Sequence, residues 1–380
     1  MLVYLGLAPL VALGVALLVL IALGWRAFGQ RPSGERLARI QRSPHWKDGR
    51  FQGPLPVGTD VWGALSGYFD ASKYTVPKAP MSVARVDPRI YATPPATGLR
   101  ATWLGHSTLI VEIDGHRVLT DPVWSDRISP YSFLGPRAFY APLIALKDLP
   151  SIDAVVISHD HYDHLDYATI RAMRDWPTTF VVPLGIGAHL AYWGVPEARI
   201  VELDWWETHR LGDLELVATP ARHTSGRTAM LGQDQTLWAG FAMIGKRHRA
   251  WYSGDTGMFP GLREIGERLG PFDLTLIEAG AYGRWWPDWH LGPEQAMQAN
   301  AWVRGKTTLG VHLGRFNLAY HGWTEPLERL LVAARAERVL LLAPRPGESV
   351  EPEAAPPARP WWPALPWQTA RENPIVSSGL

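Results

Sequence analysis

The sequence predicts an α/β fold, with mixed sheets carrying helices on their outer faces, preceded by an N-terminal transmembrane helix. Three observations point there. Apolar strands bounded by turn signals form hairpins in the first half and alternate with helical segments in the second. Residues 1–25 contain no charged side chain. Finally, the chain has 13 histidines and no cysteine in 380 residues, and several of those histidines stand at strand ends.

Composition narrows the function. Apolar residues make up 47% of the chain, enough to bury a full core, and charged residues only 19%. A net charge of +1 gives no support for a nucleic-acid binder, which would carry a strong basic excess. The lack of cysteine excludes disulfides, thiolate zinc sites, iron–sulfur clusters and a cysteine nucleophile. Any metal must therefore be held by histidine and carboxylate.

Residues 1–25 would span about 37 Å as a helix, more than the ~30 Å hydrocarbon core of a bilayer, so a tilted anchor fits. No basic segment precedes the apolar stretch, which argues against a cleaved signal peptide. Residues 26–50 then carry seven basic side chains against Glu35 and Asp48. Positive-inside logic sets this segment against anionic headgroups, giving a membrane protein, of a bacterial inner membrane, with its catalytic domain in the cytoplasm. Residues 26–95 read as a basic linker and irregular arm.

The regular pattern occupies 96–345. Residues 101–113 and 117–122 read as two strands joined at Asp114-Gly115, a strong hairpin signal. Further strands are expected at 153–158, 178–184, 199–206 and 214–220, with a helix at 165–176. Two more strands flank the turn Lys246-Arg247-His248. After them come helices at 261–270, 293–303 and 325–337, alternating with strands at 273–280, 307–312 and 338–344. The tail, 346–380, is rich in proline and includes Trp361, Trp362 and Trp367, so it is expected to pack on the domain.

The strand at 153–158 runs directly into His159-Asp160-His161-Tyr162-Asp163-His164. Four donors on one tight turn can diverge toward two metal ions, with His159 and His161 on one side and Asp163 and His164 on the other. Imidazole and carboxylate suit zinc, with iron or manganese also admitted. One turn cannot complete two shells. His223, Asp255 and His312 each follow a predicted strand, and loops at one sheet edge converge.

At these residues the chain resembles the metallo-β-lactamase-fold hydrolases over about 98–345. The resemblance implies an αββα sandwich with a dinuclear zinc site at one edge. It implies His159, His161 and His223 around one zinc, Asp163, His164 and His312 around the other, and Asp255 bridging them. It also implies Asp121, in Leu119-Thr120-Asp121-Pro122, as a carboxylate orienting a ligand histidine. The segments Thr102–Thr108, Leu119–Trp124, His290–Ala296, Val311–Phe316 and Tyr320–Pro326 resemble one branch, the N-acyl-phosphatidylethanolamine-hydrolysing phospholipase D enzymes and their bacterial relatives. Glu278-Ala279 departs from the Pro-Ile expected in the animal enzymes, and His223 lacks the aromatic expected after it.

The resemblance implies a membrane-anchored phosphodiesterase in which two zinc ions activate water for attack on phosphorus. With Asp163 at the metals, His290 and His321 are the spare groups for protonating the leaving alkoxide or binding phosphate. Trp285, Trp286 and Trp289 precede His290 and could line an acyl channel or pack as core. The expected partners are a phospholipid substrate and a membrane, with a homodimer admitted and nucleic acid not. Two alternatives remain open: a hydrolase of an ester, lactone or amide, and a metal-binding membrane protein without catalysis.

Overall fold

The structure, a computed structural model, describes residues 2–228 and 232–380, and side chains other than those of residues 2–11 and 17. The N-terminal arm contains α1 (Leu2–Gly24), α2 (Gly34–Gln41), the short hairpin β1 (Trp46–Lys47) and β2 (Arg50–Phe51), and α3 (Val61–Gly67). The first half of the sandwich follows as β3 (Leu99–Gly105), β4 (Thr108–Ile113), β5 (His116–Thr120), β6 (Ala154–Val156), α4 (Tyr167–Met173), β7 (Thr179–Pro183), α5 (Ile186–Tyr192) and β8 (Ile200–Leu203). The second half is β9 (Thr208–Leu211), β10 (Leu214–Thr219), β11 (Gly240–Ile244), β12 (Arg249–Tyr252), α6 (Gly261–Leu269), β13 (Leu274–Glu278), α7 (Pro293–Val303), β14 (Thr307–Val311), α8 (Glu325–Glu337) and β15 (Leu340–Leu342). The chain then crosses back through β16 (Ser349–Val350).

Two seven-stranded sheets result, ordered β16-β3-β4-β5-β6-β7-β8 and β15-β14-β13-β12-β11-β10-β9. Each begins as an antiparallel meander and continues as parallel strands linked by helices. Strand residues alternate between the two faces. In the first sheet Ala154, Val156 and Val181 face the second sheet, where they join Leu216, Phe241, Trp251 and Leu276 in the central core. Val155, Phe180 and Val182 face outward beneath Ile170 and Met173 of α4 and Leu190 of α5. Both faces are covered, so the parallel strands read as unbroken apolar runs. Helices α6, α7 and α8 pack through Leu262, Met297 and Leu330 on the second sheet. The layering is α/β/β/α. Trp251 illustrates the packing: it is fully buried, with Nε1 3.1 Å from Thr219 Oγ1. Trp251→Ala is expected to cost about 3–5 kcal/mol, measured as a lowered guanidinium midpoint.

The strand and helix pattern of the second half matches the sequence reading, including the bounds of α7 and α8. Two differences matter. Residues 101–113 are not one strand: the chain reverses at Gly105 and His106, both with positive φ, so that Trp103 pairs with Leu109. The second difference is α5, which starts in the glycine-containing stretch Gly185-Ile186-Gly187, between the strands expected at 178–184 and 199–206, where the sequence reading places no element.

The transmembrane anchor is corrected. Among the described residues no helix is long and apolar enough to cross a membrane. Met1 and the side chains of 2–11 and 17 lie outside the described residues, and the rest of α1 is shorter than a span requires. The membrane localisation and cytoplasmic orientation rested on that anchor and fall with it. The chain just after α1 is docked on the domain instead. Trp193 Nε1 donates to Arg26 O at 2.7 Å, and the buried Arg227 donates through Nε to Ala27 O at 2.9 Å. The basic segment is partly neutralised by the domain as well. Arg36 pairs with Glu202 at 2.6 Å and Glu197 at 2.8 Å, and Arg39 with Glu207 at 2.7 Å.

Candidate metal centre

Seven strands deliver polar side chains from their C-terminal ends to one edge of the sandwich, where open α/β folds place ligands. His106 follows β3, Asp121 follows β5 and the His159–His164 turn follows β6. His223, Asp255 and His312 follow β10, β12 and β14, and Glu278 ends β13. His106, Asp121 and His312 all have positive φ, a strained backbone that the surrounding structure must enforce.

Two groups of donors hold the sequence-predicted residues, and Glu278 and His290 gather with Asp255 and His312 in a further one. In the first, His161 Nδ1 lies 2.9 Å from His159 Nε2 and 3.4 Å from His223 Nε2. In the second, Asp163 Oδ2 lies 3.2 Å from both His164 Nε2 and His312 Nε2, and 2.9 Å from His106 Nε2. Asp255 stands between them. Its Oδ2 is 3.2 Å from His164 Nε2 and 3.1 Å from His312 Nε2, and 3.8 Å from His159 Nε2 and His223 Nε2.

These residues fit a pair of metal ions. Metal–ligand bonds of ~2.0–2.1 Å in tetrahedral geometry place donors about 3.3 Å apart, close to the spacings seen. His164 Nε2 and Asp255 Oδ1 are buried without a hydrogen bond, an arrangement costly in a protein unless an ion satisfies it. Burial and the neighbouring imidazoles hold His159 and His223 well below the ordinary histidine pKa, so their lone pairs are free. Burial alone would raise Asp255 and Asp163, but the adjacent histidines hold both well below the carboxylate range. The same carboxylates overcome burial at His312 and lift it to about 10.

The nitrogens turned away from the centre are also held. Asp121 accepts His164 Nδ1–H at 2.6 Å together with Ser158 N–H at 2.7 Å and the Tyr252 hydroxyl. His223 Nδ1–H donates to Trp289 O at 3.0 Å. Each contact leaves Nε2 free to ligate. The His223 loop is clamped by both ends of the chain, since the buried Arg222 guanidinium bonds Pro56 O of the arm, Ser378 O of the tail and Asp288.

The two spare histidines separate. His290 stacks on His312 with ring centres 4.9 Å apart, and its Nδ1 lies 2.8 Å from Glu278 Oε2. His321 has no hydrogen bond or ring contact with the donor groups among the described residues. It donates Nδ1–H to Gly322 O at 3.0 Å and stacks on Tyr282 at 4.3 Å, and burial lowers it to about 4. It forms part of the wall of a cavity of about 250 Å³ with Trp285, Trp286 and Tyr320. Sequence reasoning missed two groups at the centre. In the sequence His106 reads as part of the strand at 101–113, although Gly105 beside it is a turn signal. Glu278 reads in the sequence as a departure from the family pattern, and a buried acid ending an apolar strand is a signal in itself.

The comparisons agree with this geometry. The family model described as "Beta-lactamase superfamily domain" matches residues 116–313. The chain belongs to this superfamily and, at that level, is a metal-dependent hydrolase of the metallo-β-lactamase fold. An uncharacterized Mycobacterium tuberculosis protein is 46% identical over 336 residues, covering 85% of this chain and 88% of the relative. The N-acyl-phosphatidylethanolamine-hydrolyzing phospholipase D 1 of Caenorhabditis elegans is 36% identical over 247 residues, covering 62% and 69%. Among solved structures, Igni18, a metallo hydrolase of Ignicoccus hospitalis, superposes with a TM-score of 0.53 at 23% identity. That superposition covers 66% of this chain and 97% of that one and speaks for the fold alone.

Proposed function

We propose that this chain is a phosphodiesterase of the phospholipase D type, hydrolysing the headgroup-side phosphodiester bond of a glycerophospholipid, with an N-acylated ethanolamine headgroup favoured. The observation that carries this is an exposed apolar face on α3, the helix that packs on the loop leading to His290. Val61, Trp62, Leu65, Tyr68 and Phe69 recur at i, i+1, i+4, i+7 and i+8, on one face of α3 and the turn after it, and all are exposed, Phe69 by 86%. The opposite face carries Gly63 and Gly67 flat against the Trp285 ring, where a β-carbon would collide. Trp285 belongs to the loop that ends in His290. A monomer rarely leaves such a patch open unless it meets another apolar surface. The similarity to the C. elegans enzyme supports a lipid for that surface.

The chain's own residues then have definable roles. His159, His161 and His223 would hold one ion and Asp163, His164 and His312 a second, with Asp255 shared. Zinc suits this donor set, with iron or manganese also admitted. When bound, the ions would polarise the phosphoryl group and supply a nucleophile from water at neutral pH. His290, oriented through Nδ1 by Glu278, would donate its Nε2 proton to the headgroup alkoxide as the P–O bond breaks. Water supplies the new P–O bond, giving phosphatidic acid and the free alcohol.

Two measurements test this. Metal-loaded protein should release phosphatidic acid from N-acyl-phosphatidylethanolamine in mixed micelles; cleavage of soluble esters or lactams with every phospholipid left intact would overturn the reading. A Trp62→Glu, Phe69→Glu double variant should lose about 100-fold in turnover of micellar lipid, at roughly 1.5 kcal/mol per ring that no longer inserts. It should keep its activity on a soluble phosphodiester.

A further inference from the structure

His106 stands outside the seven donors yet beside one of them. The β3–β4 turn that carries it is tied to the loop after β14 in both directions. His106 N–H donates to Leu313 O at 3.1 Å, and His312 N–H donates to His106 O at 3.2 Å. Trp103 Nε1 bonds the same carbonyl at 3.0 Å, and Phe316 packs edge-on to the ring at 5.3 Å. The imidazole is buried and directed by this frame at Asp163.

One feature separates His106 from the histidines assigned as ligands. Its Nε2 lies 2.9 Å from Asp163 Oδ2, an ordinary hydrogen-bond length and shorter than the 3.2 Å from that oxygen to His164 and His312. Its Nδ1 is buried with no partner, as is Nδ1 of His312. Asp163 otherwise bonds only within the donor set: among the described residues, His106 supplies its one hydrogen bond from outside.

We propose that His106 is a positioning residue that donates Nε2–H to Asp163 Oδ2, holds this carboxylate against His164 and His312, and thereby sets the affinity of the second metal position. The inference rests on the two-ion reading of the centre. Without His106, Asp163 is free to turn from the site, so one of two bound ions should be lost selectively.

The test is Co2+ titration of the full chain, followed by its visible absorption and by equilibrium dialysis. Wild type should take up two equivalents. His106→Ala should weaken one of them ~10–100-fold and leave the other unchanged. His106→Gln, whose amide N–H can occupy the place of Nε2, should recover most of that loss. Two wild-type equivalents in His106→Ala would overturn the proposal, as would equal loss of both equivalents in the two variants. Wild type that takes up no Co2+ would overturn the two-ion reading itself. Nitrogen-15 histidine spectra of the zinc-loaded wild type do not depend on either variant folding. They should show His106 neutral with its proton on Nε2; a metal-bound Nε2 would make it a ligand and overturn the positioning role.

Discussion

Replacing Asp255 by alanine is expected to abolish turnover and to remove more than one equivalent of metal. Asp255 Oδ2 approaches donors of both groups, at 3.1 and 3.2 Å on one side and 3.8 Å on the other. Its removal leaves His164 and His312 facing a void between two positions that each lose a donor. Loss of an outer-shell partner already costs 10–100-fold in affinity or activity, so loss of the shared carboxylate should cost at least ~100-fold. The readouts are metal content by mass spectrometry and turnover on micellar lipid. Asp255→Asn keeps the shape and removes the charge, and should sit between wild type and alanine. Full activity in Asp255→Ala, or activity in protein stripped of metal by a chelator, would remove Asp255 and the metal centre from the mechanism.

Why these donors could be found in the sequence is a matter of spacing. The His159–His164 turn packs four donors into six residues, and such density rarely arises without chemistry. His223, Asp255 and His312 were legible because each follows an apolar strand, and strand ends at one edge converge. The helices of the second half were legible for similar reasons: α7 starts at Gly292-Pro293, and α8 at Thr324 with Pro326 in its first turn, both strong start signals.

The rest depended on contacts that no local pattern encodes. His106 sits where two strands fold back through Gly105, and from sequence the same residues continue an alternating strand. Its importance comes from Asp163, 57 residues away, which only the fold brings near. The basic segment illustrates the converse. Its arginines suggested a lipid surface, yet Arg36 and Arg39 meet Glu197, Glu202 and Glu207 more than 160 residues later in the chain. Charge runs predict that a partner exists and not which one.

The second large effect is expected at His290. His290→Gln should lower kcat ~10²–10⁴-fold, the usual contribution of a positioned general acid, while both metal equivalents remain, because His290 Nδ1 is taken up by Glu278 Oε2 at 2.8 Å. The imidazole is fixed in one orientation, since Nδ1 meets the buried Glu278 at 2.8 Å and the ring stacks on His312 at a 17° tilt. Glu278 Oε1 accepts the backbone N–H of Thr256, next to Asp255, so the pair is anchored to the loop that bears the shared carboxylate. With Nδ1–H engaged, protonated His290 can deliver only from Nε2. The loss in His290→Gln should therefore shrink as the leaving alcohol becomes more acidic, because a good leaving group departs without a proton. Glu278→Gln should reproduce part of the effect with the same leaving-group dependence, and the double variant should lose little more than His290→Gln alone, since both act through one proton. Equal losses on good and poor leaving groups would instead make His290 a phosphate-binding residue.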